Sequence, residues 1–417
     1  MHDYTRFQMC TAGRRTYKSE IIKRKIVNLA MQLPKTRYLL VAPVLSQAKT
    51  MWWSGQSSIV DLVPSFWVKK KSDTELVMKL ANDSIIELGS ADTIERKEGG
   101  FLHGCVIDEA GDAEDLEELW QRSILPQLMD TSGFLWFIGV PRSTTTAVYR
   151  EMWEKYNDKT KYPDWACYTW SAEGVASQTE IELARQTVDT LTYQTEYLGQ
   201  WADNKSGRAY YQFDKKEHVK NVEFNDNYPL FCSLDFNTSI MPISIGQNLK
   251  DRKFINVLDQ SVTKHTNLHT AIPTLKEKLV EINGGNVKAA QQRKTFIYGD
   301  YTGLNNSVAA KGSAWDVVKE IFAMDSWNVE IKLRSNPDVS QRVAATNARL
   351  KSADGKIHMA ISPKCEELIQ DFVHVGNSEL KKSKDKLEKM QRTHSSDGLG
   401  YMVNYEYPLR VTTMMNA

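Results

Sequence analysis

Short apolar segments alternate with helix-like segments through the first half of this 417-residue chain. Segments such as Phe7–Thr11, Tyr38–Ala42 and Leu135–Gly139 are typical of buried strands, and Lys18–Met31 has the periodicity of an amphipathic helix. Strands that are apolar on both faces and are separated by helices form parallel sheets covered on both sides. Ligands bind at the carboxyl ends of such strands. The pattern predicts an α/β fold and directs attention to the residues that follow each strand.

The length of the chain is enough for two domains. With 41% hydrophobic and 25% charged residues and a net charge of +1, the composition is that of an ordinary globular protein. No apolar stretch is long enough to span a membrane. A loop-like segment begins near residue 203, and strand-like segments resume at Leu230. We predict a first domain at 1–205, a linker at 206–228 and a second domain with a mixed sheet at 229–417.

The turn after the first strand has the features of a phosphate-binding loop. In such a loop, backbone N–H groups and a helix N-terminus face phosphates, a lysine contacts the β- and γ-phosphates, and a hydroxyl binds Mg²⁺. Lys18 and Ser19 supply the last two groups, although Tyr17 stands where a glycine is usual. The alternative is a basic turn that binds nothing. The predicted nucleotide-binding residues are Gly13, Arg14, Arg15, Thr16, Tyr17, Lys18 and Ser19.

Two further strand ends complete this candidate site. Asp108 and Glu109 follow a buried strand, where Asp108 would join the Mg²⁺ shell and Glu109 would polarise the attacking water. The alternative is a strand that runs into a solvated acidic helix. The strand that ends at Gly139 is followed by Val140 and Pro141, and Arg142 there would stabilise charge on the γ-phosphate. The alternative for this third strand end is a plain turn.

Three aspartates in the second half form a different set. Asp235 and Asp300 follow strand-like segments, and Asp397 lies near the start of the last helix-like segment. Converging carboxylates hold the two metal ions of many phosphodiester-cleaving sites. Asp259 is a possible fourth ligand, or else a strand-end turn residue. His394 is either a ligand, a phosphate contact or a surface residue, and the basic segment 381–392 is either a solvated face or a DNA-backbone contact.

Taken together, these motifs resemble those of the large terminase subunit of tailed bacteriophages. The resemblance rests on Gly13-Arg14-Arg15 with Lys18-Ser19, on Asp108-Glu109-Ala110, on Gly139-Val140-Pro141, on Glu196-Tyr197-Leu198 and on the three aspartates. It implies a P-loop ATPase domain with a mostly parallel sheet, followed by a ribonuclease H-like nuclease domain with a mixed sheet. It also implies ATP with one Mg²⁺, and two Mg²⁺ or Mn²⁺ ions at the nuclease site.

The same resemblance implies the setting in which the protein acts. We expect a homo-oligomeric ring on the portal protein of the procapsid, in the host cytoplasm, that translocates double-stranded DNA selected by a small terminase subunit. No membrane partner is expected. One alternative is a ribonuclease H-like nuclease whose P-loop domain binds nucleotide but hydrolyses it poorly. A non-catalytic DNA-binding component and an ATP-dependent transposition or recombination enzyme are further alternatives.

Overall fold

The computed structural model describes residues 5–409 except 56, 92–93, 95–99, 114–115, 142–146, 203, 205, 237–238, 265, 306–311 and 377–392. Arg142 and the basic segment 381–392 therefore lie outside the described residues. The chain divides into two compact units. The first holds the described residues of 5–182 and 191–202, and the second those of 183–190 and 204–409. No helix among the described residues is long and apolar enough to cross a membrane.

The first unit is built on a largely parallel sheet. Within the described residues its strands are β1 (Phe7–Ala12), β2 (Arg37–Ala42), β3 (Val68–Ser72), β4 (Val77–Leu80), β5 (Ile85–Ser90), β6 (Gly104–Ile107), β7 (Phe134–Gly139) and β8 (Trp165–Trp170). They lie side by side in the order β3-β4-β5-β2-β6-β7-β1-β8. Among the strand pairs of the described residues, only β3–β4 and β4–β5 are antiparallel.

Helices flank this sheet on both faces, and apolar clusters lie under each layer. In this half of the chain the helices are α1 (Lys18–Gln32), α2 (Leu45–Ala48), α3 (Ile59–Leu62), α4 (Leu116–Glu118), α5 (Leu125–Met129), α6 (Ala147–Tyr156), α7 (Gln178–Thr187) and α8 (Thr190–Thr192).

The sequence pattern predicts one helix over residues 47–59, and the structure shows that this prediction is wrong. The structure has α2, a π-helical turn at Lys49–Trp53 and the separate helix α3. Ser58 divides them, because its hydroxyl caps the Asp61 backbone N–H while the Asp61 carboxylate accepts from the Ser58 backbone N–H. A local capping box thus overrides the helical periodicity of the preceding segment.

The second unit contains a mixed sheet. Its described strands are β9 (Leu230–Leu234), β10 (Ile240–Leu249), β11 (Phe254–Lys264), β12 (Thr295–Gly299), β13 (Val329–Ile331) and β14 (Met359–Ile361). They lie in the order β13-β12-β9-β10-β11-β14. β10 is antiparallel to both β9 and β11, whereas β12 pairs with β9 and β13 in parallel. The predicted combination of a mostly parallel first sheet and a mixed second sheet is confirmed.

The helices of the second unit cover both faces of this sheet. They are α9 (Lys215–His218), α10 (Leu268–Ile282), α11 (Val287–Gln292), α12 (Ala314–Met324), α13 (Val339–Leu350), α14 (Glu366–His374) and α15 (His394–Glu406). α10 and α12 pack over Cys232 and Leu234, whereas α13, α14 and α15 pack over Phe231 on the opposite face. The segment predicted as a linker differs from expectation, because Tyr210 and Phe213 are buried in this second core.

Candidate nucleotide site and acidic site

The predicted nucleotide-binding residues follow three adjacent strands of the first sheet. β7 lies between β1 and β6, and it pairs in parallel with both. The turn after β1, the Gly139-Val140-Pro141 segment at the end of β7 and Asp108 after β6 therefore lie along the same edge of the sheet. The topology brings together the three motifs that the sequence predicted to act jointly.

The turn between β1 and α1 is an irregular loop with two residues in the left-handed backbone region. Arg15 has φ 57° and Tyr17 has φ 59°. Left-handed and right-handed residues in succession point backbone N–H groups to one side and create an anion-binding concavity. Tyr17 takes the conformation for which glycine is usual, and its side chain is 64% exposed. The tyrosine therefore adds backbone strain to the turn, and its exposed ring does not occupy the anion-binding concavity.

Gly13 is required by a close backbone approach. A Cβ atom on this residue would lie 2.2 Å from the carbonyl oxygen of Tyr197. The segment that carries Tyr197 also anchors the loop through Glu196. Its carboxylate binds the Arg14 guanidinium at 2.5 Å, and its carbonyl accepts from the Arg14 backbone N–H at 2.6 Å. Arg14 thus holds the loop against the residue 193–197 turn.

The lysine and the hydroxyl of the candidate site lie at the start of α1. The Lys18 Nζ donates to the carbonyl oxygens of Ala12 and Gly13 at 2.9 and 2.6 Å. The Ser19 hydroxyl donates to Asp108 Oδ2 at 2.8 Å, across 89 residues of sequence. A hydroxyl and a carboxylate in direct contact beside a lysine are the groups that bind the magnesium and phosphates of a nucleoside triphosphate.

Asp108 is buried, and its environment favours a bound cation. Burial, followed by the adjacent charge of Glu109, raises the pKa of Asp108 to about 6. A divalent ion at Asp108 and Ser19 would relieve this excess of negative charge, so the two residues fit the predicted Mg²⁺. Glu109 has φ 50°, in the left-handed region. Strained residues of this kind cluster at functional sites, which agrees with a role for Glu109 in the reaction.

The acidic residues of the second unit lie around the end of its central strands. β9 and β12 are parallel, with Gly299 opposite Leu234, so Asp235 and Asp300 follow neighbouring strands at the same level. Asp397 lies in the first turn of α15, whose Gly398 carbonyl accepts a hydrogen bond from Ser233 in β9. The sheet and one helix thereby bring residues from three distant parts of the sequence to one region.

The phenol of Tyr401 indicates that the three carboxylates share one electrostatic environment. Burial raises the pKa of Tyr401, the charge of Arg342 opposes this rise, and the charges of Asp235, Asp300 and Asp397 each add to it. Carboxylate oxygens are suitable ligands for Mg²⁺ or Mn²⁺. The donor chemistry therefore fits the predicted metal.

Basic side chains contact two of these carboxylates. The Arg342 guanidinium binds Asp397 at 2.5 Å, and His394 Nδ1 lies 3.0 Å from Asp235 Oδ2. The hydrogen bond to Asp235 raises the pKa of His394, whereas burial raises that of Asp397. Among the described residues, no three Asp, Glu, His or Cys side chains are gathered closely enough to hold an ion. The predicted arrangement of two ions is therefore not formed by these side-chain positions.

Asp259, predicted as a possible fourth ligand, lies on the other face of the sheet. It is inside β11, opposite Ile245, which in turn pairs with Cys232. Paired residues point to the same face, and this face is the one covered by α10. The Asp259 carboxylate binds Lys278 of that helix at 3.3 Å. β11 extends well past the apolar segment, so Asp259 is neither a strand-end residue nor a partner of Asp397.

Two side chains of the acidic site were not identified in the sequence. Arg342 is 5% exposed, and within the described residues its Nε has no hydrogen-bond partner. Asn336 donates to Asp300 Oδ1 at 2.6 Å and accepts from the Tyr301 backbone N–H at 2.9 Å. An arginine among the buried residues of α13 was a detectable signal. Asn336 lies in an irregular segment whose sequence carries no comparable sign.

The α15 helix has a glycine where Arg342 crosses it. A Cβ atom on Gly400 would lie 2.7 Å from Arg342 Cγ and 2.9 Å from Cδ. The guanidinium carbon lies 4.5 Å from the centre of the Tyr401 ring. The small residue therefore lets Arg342 pass over the helix and reach Asp397, one turn earlier.

Among known proteins, similarity to this chain is found in solved structures. No protein-family model and no curated protein matches the sequence. The structure is similar to that of the large terminase from a thermophilic bacteriophage, with a TM-score of 0.57, 14% identity and coverage of 96% of this chain and 94% of that chain. Complexes of that terminase with ADP and with ATP-gamma-S give TM-scores of 0.53 at 16% and 15% identity, with the same coverage. These similarities identify the fold of this chain, over nearly its whole length, as that of a bacteriophage large terminase.

Proposed function

We propose that this protein is the large subunit of a viral DNA-packaging motor. Its first domain couples ATP hydrolysis to translocation of double-stranded DNA, and its second domain is a metal-dependent endonuclease that cuts concatemeric DNA. The observation that carries the proposal is the contact between Ser19 and Asp108, in a chain whose second sheet also places Asp235 and Asp300 directly after neighbouring parallel strands. The fold and the nucleotide complexes of the thermophilic bacteriophage terminase support it.

In the first domain, we assign the loop N–H groups and Lys18 to the phosphates of ATP. Ser19 and Asp108 would hold Mg²⁺, which neutralises phosphate charge when bound. Glu109 is next to Asp108 at the end of β6, where its carboxylate can orient and polarise a water molecule. Arg142 remains our proposal for the residue that stabilises charge on the γ-phosphate.

In the second domain, we assign Asp235, Asp300 and Asp397 as metal ligands. Bound divalent ions at such a site activate water and stabilise the leaving oxygen of a phosphodiester. His394 orients Asp235, Asn336 orients Asp300 and Arg342 orients Asp397, so each carboxylate has its own positioning residue. To bind two ions, Asp397 would give up part of its contact with Arg342, and Asp235 would give up part of its contact with His394.

Partners and location follow from the motor function. We propose a homo-oligomeric ring on the portal protein of the procapsid, in the host cytoplasm, supplied with DNA by a small terminase subunit. The test is a packaging reaction with procapsids that carry portal, linear DNA and ATP, followed by nuclease digestion. We expect digestion-resistant DNA with the native protein and none with Glu109→Gln. Absence of protected DNA from a preparation that hydrolyses ATP would contradict the motor function.

One observation favours the alternative of a nuclease with a poorly hydrolysing P-loop domain. Lys18 Nζ is bound to two carbonyl oxygens of its own loop, so it must exchange them for phosphate oxygens. The alternative predicts nucleotide binding with no DNA-stimulated turnover. The motor predicts DNA-stimulated turnover that Lys18→Ala abolishes.

A further inference from the structure

A shallow cleft opens beside the acidic site of the second unit. Its lining includes Gly299, Lys332, Arg334, Tyr401 and Tyr405. Gly299 is bonded to Asp300, and Tyr401 lies one helical turn after Asp397 on the same face of α15. The cleft is therefore contiguous with two of the three carboxylates.

The cations of this cleft are incompletely neutralised. Arg334 is exposed and lies with its guanidinium carbon 5.2 Å from the centre of the Tyr405 ring. In the part of the chain that is described, it has no carboxylate partner. Lys332 Nζ is 4.0 Å from Glu406, but that carboxylate binds Lys250 more closely, at 2.8 Å.

The segment that carries these cations is held in register with the acidic site. The Lys332 backbone N–H donates to Ile297 in β12 at 2.8 Å, and Asn336 binds Asp300. The centre of the Phe296 ring lies 4.1 Å from Lys332 Nζ, and the Arg334 guanidinium lies over the Tyr405 ring. Aromatic faces of this kind orient a cation without neutralising it. The positive charges of Lys332 and Arg334 are therefore held in fixed positions relative to Asp300.

We propose that this cleft binds the phosphodiester backbone of duplex DNA next to the bond that is cut. The inference rests on the proposed nuclease function and deepens it. A cluster of carboxylates repels a polyanion, so an adjacent site with fixed cations is needed to hold the strand. Arg334 supplies a donor fork suited to phosphate oxygens, and Lys332 supplies a point charge beside it. Contacts of this kind position the DNA and carry no sequence information.

The test is the salt dependence of DNA binding by the full-length protein in EDTA, which prevents metal-dependent cleavage. Fluorescence anisotropy with two duplexes of about 30 base pairs and unrelated sequence gives the affinity at several KCl concentrations. Each phosphate contact contributes about −0.9 to the slope of log affinity against log salt concentration. We expect Arg334→Ala to bring the slope closer to zero by about 0.9 and to weaken binding equally for both duplexes, whereas Arg334→Lys retains the slope.

Lys319→Ala is the matched control. Lys319 is an exposed cation of the same unit, but it lies on α12, which covers the opposite face of the sheet. We expect this variant to bind like the native protein. An unchanged slope in Arg334→Ala, or an equal change in Lys319→Ala, would overturn the cleft assignment while leaving the nuclease proposal intact. Native protein that neither binds nor cuts duplex DNA would overturn the nuclease proposal itself.

Discussion

Replacement of Tyr17 by glycine is expected to stabilise the first domain slightly and to preserve nucleotide binding. Tyr17 is in the left-handed region with φ 59° and ψ 21°, directly before Lys18. Its side chain is 64% exposed, so removal of the ring sacrifices little buried area. The backbone conformation is therefore the dominant contribution to the effect.

The magnitude follows from two opposing contributions. The left-handed conformation costs an ordinary L-residue roughly 1–2 kcal/mol, which glycine does not incur. Glycine loses more chain entropy on folding, at a cost of roughly 0.5–1 kcal/mol. The difference favours Tyr17→Gly by about 0.5–1 kcal/mol in the free energy of unfolding. Tyr17→Ala keeps Cβ and therefore the strain, and it is expected to change stability by less than about 0.5 kcal/mol.

Urea denaturation of the three proteins measures this difference, and calorimetric titration with ATP and Mg²⁺ measures nucleotide affinity. We expect affinities within about threefold of one another, because the loop N–H groups and Lys18 make the contacts. A Tyr17→Gly protein that is less stable than the native one would refute the strain argument. A loss of affinity larger than about tenfold in both variants would show that the tyrosine ring itself contacts the nucleotide.

Three other variants test contacts of the second unit. Arg342→Met leaves the partly buried Asp397 without its cation and should lower the free energy of unfolding by about 2–3 kcal/mol in urea denaturation; a loss below about 1 kcal/mol would contradict a strong pair. Gly400→Ala forces Arg342 to move and should cost about 1–3 kcal/mol in the same assay. Burial lowers the pKa of His358 from 6.5 to about 4. The unfolded state binds this proton first, so stability should fall as the pH drops from about 6.5 to about 4, by about 1–2 kcal/mol once solvent screening of this half-buried group is allowed for. His358→Gln should remove this fall in pH-dependent denaturation.

The sequence predicted best those residues whose placement depends on local chain geometry. Asp108 directly follows an apolar strand of the first sheet, and Asp235 and Asp300 follow neighbouring parallel strands of the second, so the strand pattern alone indicates where each carboxylate lies. Asp259 was misplaced because β11 continues to Lys264, so its face is set by pairing with β10 rather than by the end of an apolar segment. Cross-strand register is a property of the folded sheet and cannot be read from one segment.

Contacts between distant segments could not be predicted from local sequence patterns. Glu196 binds Arg14 across 182 residues, and Arg342 reaches Asp397 across 55. Neither arginine shows in the sequence which carboxylate it will contact, because only packing decides that. The β3–β4 hairpin was not predicted. β3 is half-exposed and lysine-rich, and such residues discourage further strand pairing at a sheet edge. They also replace the apolar pattern by which a strand is recognised in a sequence.

The most direct measurement follows ATP hydrolysis and Mn²⁺-dependent plasmid cleavage in parallel on the native protein, Lys18→Ala and Asp235→Ala. Two independent sites in one chain predict that Lys18→Ala loses DNA-stimulated ATPase activity and retains cleavage. They also predict that Asp235→Ala loses cleavage and retains ATPase activity. Full ATPase activity in Lys18→Ala, or full cleavage in Asp235→Ala, would contradict the assignment of the motor and nuclease sites.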